Sequence, residues 1–139
     1  MYLPALLLVL LAIPCHGLLA QSGTGSGSVL LFPRFVSNQN LSGGMAVFNP
    51  SGSEATATFT LRNVDGIFLT NATVKIPPRG QVAKTAGELF PGLAGVEGSV
   101  LVTSSTSGLV PYCLTFSGQL SMIDGGGASG LSNELLFPV

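Results

Sequence analysis

The most regular pattern in the chain lies between residues 55 and 61, where Ala55, Ala57, Phe59 and Leu61 alternate with Thr56, Thr58 and Thr60. A period of two sends successive side chains to opposite faces, so the segment predicts a strand with one buried face and one hydroxyl-bearing face. Asn63-Val64-Asp65-Gly66 then gives a turn signal and Ile67 to Leu69 resumes an apolar run, which together read as a hairpin. Val74 and Ile76 alternate with Thr73 and Lys75 until Pro77-Pro78-Arg79-Gly80 stops the strand.

The same reading covers the rest of the chain. Val29 to Val36 predicts a first strand, with Pro33 marking an edge or a bulge, and Met45 to Phe48 a second one closed by Asn49-Pro50-Ser51-Gly52. Gln81 to Lys84 is a short strand candidate, and Gly98 to Thr103 and Leu109 to Ser117 are strong ones. In the latter, Val110, Tyr112, Leu114 and Phe116 share a face, which their apolarity assigns to the core. Asp124 to Gly130 reads as glycine-rich loop and Glu134 to Val139 as a last strand. Only Ala86 to Phe90 suggests a helical turn, too short to stand alone. Seven to nine short strands without an amphipathic helix predict an all-β antiparallel sandwich or barrel, because a parallel sheet needs crossover helices.

The opening residues break this pattern. Ala5 to Ile13 is an unbroken apolar run ended by Pro14, which predicts a signal peptide over residues 1–20, cleaved after Gly17 or Ala20. No Lys or Arg precedes the run, Cys15 offers a lipidated variant of the same leader, and an uncleaved anchor is the rival, although Pro14, Cys15, His16 and Gly17 leave its apolar stretch short of a span. Residues 21–28 are Gln, Ser, Gly and Thr alone and read as linker, leaving residues 29–139 as one β-sandwich domain. With Cys15 removed, Cys113 is the single remaining thiol; without a nearby histidine it reads as a small half-buried strand residue.

Composition narrows the function. Apolar residues make up 46% of the 139 positions and charged ones 8%, with a formal net charge of −1. The basic residues Arg34, Arg62, Lys75, Arg79 and Lys84 are scattered, so there is no footprint for nucleic acid or an anionic membrane. The sole histidine, His16, lies in the leader, which excludes Ser-His-Asp and Cys-His sites and imidazole ligands from the mature domain. Lys75 and Lys84 read as solvent-facing charges rather than partners of a serine nucleophile. The carboxylates Glu54, Asp65, Glu88, Glu97, Asp124 and Glu134 fall mostly at turns and strand ends, where turn chemistry and solubility explain them. Asn63, Asp65 and Gly66, and Asp124 before three glycines, fall short of the ligand density of a calcium loop. The chain has no Trp, and Tyr112, the one tyrosine outside the leader, is expected in the core rather than on a sugar-stacking surface. Asn40-Leu41-Ser42 and Asn71-Ala72-Thr73 match the glycosylation acceptor pattern.

Taken in order, Leu31-Phe32-Pro33 with Phe35, Val47-Phe48-Asn49-Pro50, Phe59 with Asp65-Gly66, Ile76-Pro77-Pro78-Arg79-Gly80, Gly98-Ser99-Val100 and Phe137-Pro138-Val139 resemble an uncharacterised immunoglobulin-like β-sandwich module of secreted proteins from environmental bacteria. The resemblance covers most of the chain from Val29 and implies an extracellular sandwich, with no catalytic, cofactor or metal residues to carry over. The expectation is therefore a secreted or cell-surface, non-catalytic structural or interaction module with an unknown protein or cell-surface partner. A carbohydrate- or calcium-binding module is the alternative, and a small secreted enzyme stands last.

Overall fold

A computed structural model describes residues 27–127 and the short strand at 129–130. The leader expected at 1–20, most of the linker expected at 21–28 and the strand expected at Glu134 to Val139 lie outside the described residues. Nine strands and one helical turn follow in the order β1 (Ser28–Ser37), β2 (Leu41–Phe48), β3 (Ala55–Asn63), β4 (Phe68–Ile76), β5 (Gln81–Thr85), α1 (Ala86–Leu89), β6 (Val96–Ser104), β7 (Val110–Ser117), β8 (Ile123–Gly126) and β9 (Ser129–Gly130). Every pairing among the described residues is antiparallel.

The hydrogen-bonded path runs β4-β3-β6-β1-β2-β7-β8, with β5 added to β2 and β9 to β1. Strand β1 is the pivot. Its register with β6 shifts between Phe32 and Phe35, at Pro33, which has no N–H to give to a ladder, and it touches β2 in register only at Ser37↔Ser42. The two halves of the path bury their inward faces in one core: Ala55, Ala57, Phe59 and Leu61 of β3 meet the same cluster as Met45 and Val47 of β2. Phe32, Phe35, Val100 and Val102 fill its middle, and Phe35 packs edge-on against Phe90 with ring centroids 5.6 Å apart.

Local chemistry explains where the strands stop. Asn63 Oδ1 accepts the backbone N–H groups of Asp65 and Ile67, and Gly66 takes φ +79°, a left-handed turn position that glycine occupies without a Cβ penalty. At the other end of the hairpin the amide of Asn49, fully buried, donates to the carbonyls of Ser53, Ile76 and Pro77. Its Oδ1 accepts from the Ser51 N–H and hydroxyl, while the Asn49 N–H donates to Gly80 O. One side chain thus ties the β2–β3 turn to the end of β4. Thr85 and Glu88 form a reciprocal capping box on α1.

Three expectations are corrected. Strand β4 is continuous from Phe68 to Ile76, because Asn71 and Ala72 pair with Thr60 and Phe59 without a break. The segment expected as loop at Asp124 to Gly130 contains most of β8 and all of β9, since Gly125 and Gly126 pair with Leu114 and Cys113. The face of β7 carrying Val110, Tyr112, Leu114 and Phe116 points outward, away from the core. Register decides it: core residues Met45 and Val47 stand opposite Cys113 and Pro111, so Tyr112 falls opposite Ala46 on the other face.

Candidate functional site

The ionisable residues are dispersed. Glu54 pairs with Lys75 at 2.9 Å with both side chains exposed, Asp65 sits in the Asn63 turn, Glu88 caps α1, Glu97 lies on β6 within reach of Asn38, and Asp124 lies exposed on β8. Among the described residues no three His, Cys, Asp or Glu side chains come together as a metal site. The Oδ1 of Asn63, which would have to ligate calcium at that turn, already accepts two backbone N–H groups. Lys84 is exposed, and so is the ion-paired Lys75. Cys113 is half-buried, and its thiol donates to Gly126 O at 3.3 Å. The Glu88 carboxyl is held below the usual carboxylate range, first by the Thr85 N–H, then by the Thr85 hydroxyl, with Lys84 adding a smaller pull.

The feature that stands apart is the outward face of β2, β7, β5 and β8. Alternation places Gly44, Ala46 and Phe48 of β2 outward, opposite Leu114, Tyr112 and Val110 of β7. On the far side of β2, Ala46 faces Ala83 of β5, and on the far side of β7, Phe116 faces Ile123 of β8. The result is an apolar stripe in water: Phe48 is 39% exposed, Tyr112 48%, Val110 55% and Ile123 60%. Tyr112 and Leu114 lean over Gly125, where a Cβ would stand 2.8 and 2.6 Å from them. A shallow groove of about 200 Å³ runs between Tyr112, Leu114 and the capped start of α1, floored by Gly44, Ala46 and Ala83.

Among the described residues nothing covers this face, and exposed apolar patches of this kind mark places where something else docks. The periodicity along β7 shows which residues share this face; which side faces the core depends on the register with β2, which no local pattern encodes. The expectation that Tyr112 packs in the core is overturned for that reason.

A second groove, of about 480 Å³, lies at the start of β1. Its lining is hydroxyl-rich, with Ser28, Thr56, Thr58, Thr103, Ser104 and Ser105, and it holds no charged side chain.

Fold and surface together define a small all-β antiparallel domain with an open apolar sheet face. No family model and no curated protein matches the chain. Among solved structures it is similar to the crystal structure of Thermotoga maritima 1070, with a TM-score of 0.61 and 14% sequence identity over 78% of this chain and 97% of that one. The likeness is one of fold.

Proposed function

We propose that the chain is a secreted or cell-surface, non-catalytic interaction module: an immunoglobulin-like β-sandwich, exported by a signal peptide over residues 1–20, that binds a protein or cell-surface component through the outward face of β2 and β7. The observation that carries this reading is the exposure of Phe48, Val110, Tyr112 and Ile123 along one face of the sheet. Burying such a face against a partner releases about 25 cal/mol per Å² of apolar surface, whereas leaving it open in a secreted monomer invites aggregation. The dispersed carboxylates and lysines fit a binding role better than an enzymatic one, which needs convergent ionisable groups.

The test is retention of the purified protein on washed cells of the producing strain, against a Phe48→Ser/Tyr112→Ser double variant with the same unfolding temperature. Wild-type protein held by the cells, and the variant left in the supernatant, supports the reading; equal partitioning of the two rejects it.

A second reading, a carbohydrate-binding module, draws on the hydroxyl-lined groove at Thr56, Thr58 and Thr103. It predicts binding of neutral polysaccharide that Thr58→Val weakens and the Phe48/Tyr112 variant leaves intact.

A further inference from the structure

Strand β4 ends the hydrogen-bonded path, paired with β3 along one edge and with no strand along the other among the described residues. Unpaired edges are templates for further pairing, and proteins ordinarily blunt them with proline, central charges, bulges, short length or a covering element. The other open edges follow that rule. Strand β5 has five residues with Lys84 among them, and β8 has four with Asp124 among them. Strand β4 follows it least. It runs nine residues without proline, its one irregularity is a bulge at Leu69 near its start, its pairing with β3 is unbroken from Thr70 to Ile76, and its one charged side chain, Lys75 near the end, is paired with Glu54 at 2.9 Å.

We propose that this edge is a homodimer interface, in which β4 pairs antiparallel with β4 of a second copy about a two-fold axis at Ala72. The strand's own sequence argues for that occupant, because it is complementary to itself in this register. Asn71 of each copy falls opposite Thr73 of the other on the exposed face, an amide against a hydroxyl, extending the row in which Thr58 and Thr73 already touch at 3.4 Å. Ala72 meets Ala72, and Thr70 meets Val74, on the inward side. Lys75 falls near the bulge at Leu69 and away from Lys75 of the second copy, so no like charges meet. The exposed Phe68 and Leu69 at one end come to lie beside Ile76 and Lys75 at the other end of the second copy's strand. Pairing through the axis is isologous and closes at two subunits. A strand-edge contact is small beside the roughly 1,600 Å² of a standard interface, so association is expected only in the micromolar range or weaker.

Sedimentation velocity on the purified protein across a concentration series tests it. Wild type is expected to pass from one-chain to two-chain mass as concentration rises. Asn71→Lys with Thr73→Lys places like charges opposite each other twice across the axis and is expected to stay at one-chain mass throughout. Asn71→Lys with Thr73→Glu places opposite charges there instead and is expected to recover the two-chain species. Both positions are exposed, so at dilutions where all three proteins are monomeric their unfolding temperatures should agree closely. A wild type that stays monomeric at every concentration overturns the proposal. So does a lysine pair that leaves dimerisation intact, or a lysine-glutamate pair that associates no better than the lysine pair.

Discussion

At the scale of single residues, Asn49 connects sequence to architecture most directly. Its side chain is buried and holds three carbonyls and two Ser51 donors at once, in the gap between two turns that are separated by a hairpin. Removing it strands those groups away from water, and each unsatisfied polar group costs about 1–3 kcal/mol. Asn49→Ala is therefore expected to lose about 2–4 kcal/mol in denaturant unfolding. Asn49→Asp should not rescue it, because a carboxylate would aim oxygen at carbonyl oxygens. Thr85 and Glu88 make a smaller, pH-dependent contribution. Thr85→Ala should cost about 1 kcal/mol, the usual loss for a cap. The Glu88 carboxyl is lowered by its bonds to Thr85, so what it contributes is present above its unfolded value and is lost as pH falls through its lower folded value. Glu88→Gln should flatten the pH dependence of thermal unfolding in that acidic window, leaving the neutral-pH curve nearly parallel to wild type. The Asn49 turn and the Asn63 turn were legible as turns in the sequence, because Asn, Pro and Gly carry their own backbone chemistry. That Asn49 reaches across to Ile76 and Pro77 was not legible, since the contact spans a hairpin.

At the scale of elements, the strand that the sequence marked most strongly is the one most fully seated. Ala55, Ala57, Phe59 and Leu61 alternate without interruption and are buried at 0%, 0%, 2% and 0% exposure. Phe59→Ala should cost about 3–5 kcal/mol, whereas Phe48→Ser and Tyr112→Ser, on the open face, should each cost under about 1 kcal/mol, read by urea midpoints at constant slope. That contrast measures which way each face points. The β3–β6 seam is as tight: a Cβ at Gly98 would overlap the Arg62 carbonyl, so Gly98→Ala should destabilise the domain although it adds one methyl group on a strand. Glycine misled in the other direction at Gly125 and Gly126. A run of three glycines resembles loop, yet β7 recruits two of them as an edge strand, and Gly125 in particular leaves room for Tyr112 and Leu114. In β7 the local pattern shows which residues share a face but not which face is buried, and here the apolar side is the open one. Here small and polar residues, Pro111, Cys113, Thr115 and Ser117, occupy the inward side, and bulk for the core comes from β1, β2, β3, β6 and the Leu89-Phe90 turn.

At the scale of the molecule, the antiparallel arrangement and the single core follow from short alternating segments separated by Gly, Pro and Asn turns. The surface does not follow from them. An open apolar face depends on which strand lies beside which, and on what the finished core no longer needs. That face is the basis for proposing an interaction module, and the most direct test of it is radical footprinting of Tyr112 and Phe48 in the free protein and in protein bound to washed producing cells. Strong labelling of both rings is expected in solution, with Phe48 well above buried Phe59, and a marked fall on the cells while Leu120 at the far turn continues to label. Rings already protected in the free protein, or labelled as heavily on the cells as off them, would contradict it.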